Sequence, residues 1–107
     1  MTDELPRPVR TLVDAANAGD TAAFLAGFAA DAVVDDWGRV FRGAADIDGW
    51  SDAEFIGVDV SLEVEEVELD GTRTIVAATV GGNGFNGPST FTFLTVGGHV
   101  SRLTIRA

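Results

Sequence analysis

Two adjacent aspartates, Asp35 and Asp36, are the residues of this chain whose types and placing most suggest chemistry. They end the short apolar run in DAVVDDWGRVFRG, residues 31–43, and Trp37 follows them at once. A carboxylate in this setting belongs either to a solvated turn or to a pocket. If the run is a strand, side chains alternate between its faces, so that Asp36 shares the face of Val34 and Asp35 points the other way. We therefore expect Asp36 to face inward and Asp35 to be solvated.

The residue types missing from the chain restrict the other chemistry that it can perform. It has no cysteine, tyrosine or lysine, all seven basic residues are arginine, and the single histidine is His99. Thiolate nucleophiles, Cys-based zinc sites and lysine Schiff bases are therefore excluded, and Ser-His-Asp relays and His-rich metal sites are disfavoured. The chemistry must come from carboxylates, arginines, hydroxyls and amides, and we expect no metal and no cofactor.

Length and charge restrict the class of protein and its partners. A chain of 107 residues predicts a single domain, residues 1–107. Its formal net charge of −10 argues against binding to nucleic acid or to an anionic membrane, since phosphate contacts need clustered basic residues. No apolar run approaches a membrane span and the N-terminal segment lacks a signal-peptide core, so a cytoplasmic location is expected.

Helical patterns occupy the first half of the chain. Apolar residues at i, i+3, i+4 and i+7 predict a helix over residues 8–18, with Gly19 as its C-terminal cap. Asp20 can cap a second helix, TAAFLAGFAA, which would present Phe24, Leu25 and Phe28 on one side. After the strand that ends at Asp36, GAADIDGWSDAEF predicts one or two short helical segments, with Ser51 and Glu54 at capping-box spacing.

Strand patterns fill the second half. Apolar and polar residues alternate from Val58 to Val64, and a change of phase at Glu65 and Glu66 predicts a β-bulge. Asp70-Gly71 and Gly97-Gly98 are hairpin signals, so we predict further strands at about residues 72–80, 89–96 and 99–106 in a meander. Helices followed by antiparallel strands indicate an α+β fold with helices on one face of a bent sheet.

The order and spacing of these segments resemble the nuclear transport factor 2-like (NTF2-like) superfamily, in particular its small bacterial SnoaL-like and ketosteroid-isomerase-like members. The resemblance rests on AANAGD, FLAGFAADAVVDDWG, RGAADIDGW and the C-terminal meander, which together span nearly the whole chain. It implies an α+β cone in which N-terminal helices pack on a strongly curved, mainly antiparallel sheet that encloses an apolar pocket. It also implies a homodimer formed through the outer face of the sheet.

The resemblance implies roles for individual residues. In ketosteroid-isomerase-like members a carboxylate that ends the first strand is the general base, and that position falls here on Asp36. The positions expected to contact a small hydrophobic ligand are as follows: Leu12, Phe28, Trp37, Trp50, Phe55, Phe85, Ser89, Phe91 and Phe93.

The chain also departs from its relatives. Steroid isomerases stabilise an oxyanion with a tyrosine and a protonated acid, whose positions correspond here to Leu12 and Ser89, so steroid isomerase activity is disfavoured. Epoxide-hydrolase-like relatives need an Asp-Arg-Asp group, for which Asp36 with Arg39 or Arg42 supplies only part.

Two functional hypotheses follow from the sequence. In the first, Asp36 transfers a proton on a small hydrophobic carbonyl compound, as in isomerase- or cyclase-like relatives. In the second, the domain is a non-catalytic ligand-binding or dimerisation module. An Asp36 neutralised by an arginine would favour the second hypothesis, and a free Asp36 facing an open cavity would favour the first.

Overall fold

The computed structural model describes residues 5–107, and the helices come first in it. They are α1 (Arg7–Ala18), α2 (Thr21–Ala26) and α3 (Gly43–Glu54), and a 3₁₀ turn, Ile56–Val58, follows α3. Gly19 caps α1 in the left-handed conformation, with φ of 69°, and the side chain of Asp20 caps α2 by accepting a hydrogen bond from the amide of Ala23 at 3.1 Å. Both caps are as the sequence predicts.

The second helix is shorter than predicted. It ends at Ala26, and Phe28 begins the first strand instead of extending a helical face. Gly27 makes this break because it packs closely on α1, where an added Cβ would lie 2.6 Å from Cδ2 of Leu12. Its carbonyl also accepts a hydrogen bond from the amide of Val100 at 3.0 Å, which starts strand pairing at this point.

The third helix is continuous, so the capping box expected at Ser51 and Glu54 is wrong. Ser51 lies in the interior of α3, fully buried, and its hydroxyl has no hydrogen-bond partner among residues 5–107. Tertiary burial of Ile47 and Trp50 holds this segment helical through a position that local spacing marks as a helix start.

Six strands form one curved, mixed sheet that does not close, and they confirm the α+β class. They are β1 (Phe28–Asp36), β2 (Arg39–Arg42), β3 (Ser61–Asp70), β4 (Arg73–Gly81), β5 (Gly87–Val96) and β6 (His99–Arg106). Their order is β2-β1-β6-β5-β4-β3, in which β1 and β6 are parallel and all other pairs are antiparallel. The four-strand meander is confirmed, and the register shift between Val64 and Glu66 is the predicted bulge.

Strand β2 was not predicted. It pairs with β1 through the two-residue turn Trp37-Gly38, in which Asp36 lies opposite Arg39. Such turns favour Asn-Gly or Gly-Gly, because both central residues need positive φ, and a tryptophan gives no such signal.

The two faces of the sheet differ sharply. The inner face packs against the helices and carries the core, including Val34, Val76, Phe91 and Leu103. The outer face of the edge strand β3 carries exposed glutamates, a charge pattern that discourages edge-to-edge pairing.

A side-chain amide joins α1 to this edge. The amide nitrogen of Asn17 donates to the carbonyl of Leu62 at 3.0 Å, and its oxygen accepts from the amide of Leu62 at 2.6 Å. Asn17 therefore binds the backbone of β3 as a neighbouring strand would. Within residues 5–107, no helix is both long and apolar enough to cross a membrane.

Candidate functional site

A cavity of about 320 Å³ lies between the C-terminal part of α3 and the inner face of the sheet. This volume is at the lower end of the range of small-molecule sites. Its walls come from every layer of the fold: Asp36, Trp37, Arg39, Trp50, Ala53, Glu54, Phe55, Val58, Val60, Val80, Gly81, Gly84, Phe85, Ser89, Phe91 and Ile105.

Asp36 is part of the cavity wall and is held from two sides. Its Oδ2 accepts a hydrogen bond from Nε1 of Trp50 at 3.0 Å and another from Nη2 of Arg39 at 2.7 Å. Its Oδ1 has no hydrogen-bond partner among the described residues and is not sealed from solvent. One carboxylate oxygen is thus fixed, and the other is available to a bound molecule.

Arg39 bridges two carboxylates at the cavity. Besides Asp36 it binds Glu54 through both terminal nitrogens, with Nη2 to Oε1 at 2.6 Å and Nη1 to Oε2 at 2.8 Å. These hydrogen bonds hold the pKa of Glu54 below its usual range, although partial burial opposes the shift, and they raise the pKa of Arg39. Glu54 is therefore ionised at neutral pH.

Aromatic rings form most of the apolar lining. Trp50 stacks on Phe55 with ring centroids 4.9 Å apart, and Phe55 contacts Phe91 at 6.4 Å. Trp37 and Phe85 lie on the turn after β1 and on the loop before β5, with 56% and 57% of their surfaces exposed. The cavity is thus buried and aromatic within, with two further rings exposed at solvent.

Six of the nine residues predicted to contact a ligand line this cavity: Trp37, Trp50, Phe55, Phe85, Ser89 and Phe91. The other three do not line it. Leu12 and Phe93 border only a gap of about 10 Å³ in the core, and Phe28 packs edge-on against Phe24 at 5.2 Å. These residues lie outside the cavity because aromatic rings fill the space between α1 and the sheet.

Asp35 is not solvated, and this expectation is wrong. It faces the outer side of the sheet, yet only 8% of its surface is exposed. Arg106 donates to both of its carboxylate oxygens at 3.1 and 3.2 Å, Arg102 donates at 3.2 Å, and the amide of Gly38 donates at 2.8 Å. The hydrogen bonds from Arg106 chiefly lower the pKa of Asp35; burial opposes the shift, and the Gly38 amide and the charges of both arginines add to it. The sequence does not reveal this cluster, because β6 joins β1 only in the folded sheet.

Trp37 occupies a strained conformation beside Asp36. Its φ is +55°, a region that bulky side chains rarely adopt, and Gly38 follows with φ of +89°. Strain of this kind, which costs of the order of 1–3 kcal/mol, occurs often at functional sites.

Sequence reasoning missed Glu54 as a site residue and gave Arg39 only a partial role. One signal was present, because Glu54 follows Trp50 by four residues and so shares its helix face. This spacing places Glu54 beside Trp50 only if α3 is continuous, and the sequence did not predict a continuous helix.

Comparison with known families gives a match to the SnoaL-like domain over residues 9–104. The chain belongs to the SnoaL-like family. A candidate polyketide cyclase from Sinorhizobium meliloti is 32% identical, with a TM-score of 0.91 and coverage of 99% of each chain. No curated protein matches this SnoaL-like chain.

More distant structures show the fold alone. A protein from Catenulispora acidiphila with a ketosteroid isomerase-like fold, in complex with trimethylamine, is 22% identical and has a TM-score of 0.81; the match covers 95% of this chain and 85% of that one. An NTF2-like protein from Cytophaga hutchinsonii is 11% identical with the same TM-score, over 98% and 88% of the two chains. The NTF2-like fold implied by the sequence is therefore confirmed.

The Asp36–Arg39–Glu54 arrangement supplies the second acid that the sequence did not reveal for epoxide-hydrolase-like chemistry. Protonating an epoxide oxygen requires an acid that still carries its proton. Arg39 keeps Glu54 ionised, so Glu54 is unsuited to donate that proton. The arrangement is better suited to orienting Asp36 than to acid catalysis by Glu54.

Proposed function

We propose that this SnoaL-like protein binds a small, largely hydrophobic carbonyl compound and that Asp36 transfers a proton on it. Asp36 is held asymmetrically: its Oδ2 is fixed by Trp50 and Arg39, while its Oδ1 has no partner among residues 5–107. A fixed carboxylate with one available oxygen in an apolar wall has the geometry of a general base. The S. meliloti relative, a candidate cyclase, supports a reaction of this class.

The step begins with a C–H bond next to the carbonyl group of the ligand. Oδ1 of Asp36 takes the proton, the C–H electron pair becomes the C=C bond of an enolate, and the carbonyl π pair moves to oxygen. Return of the proton to another carbon would isomerise the ligand, and attack of the enolate carbon on a second carbonyl would close a ring. Each outcome leaves Asp36 regenerated once the proton has been returned.

Ser89 is the residue best placed to stabilise the enolate oxygen. Its hydroxyl lines the cavity and has no hydrogen-bond partner within residues 5–107, whereas the Trp50 indole already donates to Asp36. A single donor of this type accounts for about 10²–10³-fold in rate in comparable sites.

Binding without turnover is the second candidate. It is favoured by the ion pair between Asp36 and Arg39, although Arg39 shares its single positive charge between Asp36 and Glu54. The two candidates share the cavity and differ only in whether a proton moves.

Proton exchange distinguishes the two candidates. A panel of small cyclic ketones and β-ketoesters would be incubated with the protein in D₂O, and loss of the α-proton signals followed by NMR. We expect catalysed exchange, and we expect Asp36→Asn to lower its rate by about 10²–10⁴-fold, the usual contribution of a general base. Asp31→Asn, an exposed substitution on the same strand, is the matched control and should not change the rate.

Binding is measured on the same variants by the fluorescence of Trp37 and Trp50, which both line the cavity. Binding without exchange in the unmodified protein would establish the second candidate. If the Asp36→Asn variant catalyses α-proton exchange as fast as the unmodified protein, the general base is another residue.

We further propose that the protein is a cytoplasmic homodimer that uses the outer face of the sheet. Ile75 and Ala77 give β4 a modestly apolar, half-buried outer surface, which supports an interface there. Sedimentation equilibrium at micromolar concentration tests the dimer, and a species with the mass of one chain would count against it.

A further inference from the structure

The charged residues of the cavity wall do not balance. Three ionisable side chains line it, and Asp36 and Glu54 give two negative charges against the one positive charge of Arg39. Both terminal nitrogens of Arg39 are already engaged by these carboxylates at 2.6–2.8 Å. The wall therefore has a formal charge of −1, and three of the five N–H donors of its one cation, Arg39, already bind carboxylates.

The acceptor sites that remain are also negative. Oδ1 of Asp36 has no partner among the described residues, and the side chain of Glu54 is 42% exposed. A ligand with a positive group near these oxygens would complete the charge balance. An anionic ligand would instead be repelled, and in a partly desolvated site this repulsion is stronger than in water.

The remainder of the wall suits a cation that is poorly hydrated. Five aromatic side chains line the cavity: Trp37, Trp50, Phe55, Phe85 and Phe91. The face of an aromatic ring attracts a cation by about 0.5–2 kcal/mol, most strongly for tryptophan. Among these rings, Trp37 is held at positive φ beside Asp36 and lies more than half exposed, where it can approach an incoming ligand.

We propose that the cavity selects ligands that carry a small organic ammonium group, preferring them to neutral and anionic molecules of the same size. This inference rests on the proposed function only in assuming that the cavity binds a ligand, and it assigns that ligand a charge. The aromatic faces and the excess carboxylate act together on the ammonium group. The net charge of −10 on the whole chain adds to the preference by concentrating cations near the surface.

Three compact probes of similar size test the proposal: tetramethylammonium, tert-butanol and pivalate. Their affinities for the intact protein would be measured by tryptophan fluorescence and by the NMR signal of the Trp50 indole N–H. We expect tetramethylammonium to bind about 10-fold more tightly than tert-butanol, corresponding to about 1.4 kcal/mol, with pivalate weakest. Equal affinities, a preference for tert-butanol or pivalate, or no binding of any probe would overturn the proposal.

Charge variants show whether the preference arises at this site. Asp36→Asn brings the formal charge of the wall to zero and should reduce the advantage of the cation several-fold, whereas Arg39→Gln should increase it. Glu63→Gln removes one negative charge from an exposed position on β3 outside the cavity and is the matched control. If Glu63→Gln lowers the cation's advantage as much as Asp36→Asn does, only the overall charge is being detected and the proposal fails.

The result is independent of catalysis. The probes contain no carbonyl group with an exchangeable α-proton, so they report binding alone. A cation preference without α-proton exchange on ketones would support this inference and refute proton transfer by Asp36. Exchange without a cation preference would support proton transfer and overturn this inference.

Discussion

Asp35 and Asp36 are neighbours in the chain, and the fold gives them opposite settings. Asp35 faces the outer side of the sheet, where two arginines and the Gly38 amide donate to both of its oxygens. Asp36 faces the cavity, where one oxygen has two donors and the other has none in the part of the chain that the structure describes. Both carboxylate oxygens of Asp35 therefore accept hydrogen bonds, whereas only one carboxylate oxygen of Asp36 does.

On the proposed function, this difference assigns stability to Asp35 and ligand chemistry to its neighbour Asp36. Asp35 joins the β1–β2 turn to β6, which pairs with β1 from the far end of the chain. Asp36 joins the same turn to α3 and presents an acceptor to the cavity. A substitution at Asp35 should therefore affect mainly folding stability, and a substitution at Asp36 mainly ligand chemistry.

The largest expected effect on stability comes from Asp35→Asn. This change removes the charge that receives the arginine hydrogen bonds, and we expect the free energy of unfolding to fall by about 2 kcal/mol, the usual range for hydrogen bonds to charged groups. Asp36→Asn should change it by less than about 1 kcal/mol, because an amide oxygen can still accept from Trp50 and the lost ion pair involves an exposed arginine. Urea denaturation measures the free energy of unfolding of both variants. Equal losses would contradict the assignment of stability to Asp35 and of ligand chemistry to Asp36.

Acid should act mainly through Asp35. Its pKa is lowered in the folded state, so the stability that it contributes is present above its unfolded pKa of about 3.9 and is lost as pH falls through the folded value. Glu54 acts in the same direction but more weakly, since its side chain is partly exposed. We expect Asp35→Asn to flatten the decline in stability below about pH 4, as measured by urea midpoints at successive pH values. If stability falls with pH as steeply in Asp35→Asn as in the unmodified protein, the hydrogen bonds to Asp35 contribute no more than those that water makes to the unfolded chain.

The smallest expected effect concerns the turn between the two strands. Asparagine adopts positive φ more readily than tryptophan, so Trp37→Asn should raise the free energy of unfolding by about 1 kcal/mol. The same change removes an aromatic ring from the cavity and should weaken tetramethylammonium binding several-fold. Leu69→Asn, which replaces another exposed apolar side chain away from the cavity, is the control for solubility effects. If Trp37→Asn instead lowers the free energy of unfolding, the packing of the indole contributes more stability than the positive φ costs.

Local sequence patterns correctly predict the fold class, the meander with its bulge at Glu65, and the faces of the two aspartates. These features depend on local periodicity, turn residues and strand alternation, which are properties of short segments. Six of the nine ligand contacts that the family resemblance implied line the cavity.

The partners of each aspartate, in contrast, depend on contacts between distant parts of the chain. Arg106 and Arg102 reach Asp35 because β6 lies parallel to β1. Arg39 reaches both Asp36 and Glu54 because a strained turn folds β2 back towards an unbroken α3. The sequence separation of Asp35 and Arg106 is 71 residues, and no local pattern encodes such a pairing. The charge of the cavity wall is likewise a sum over three elements, fixed only when packing brings them within hydrogen-bonding distance.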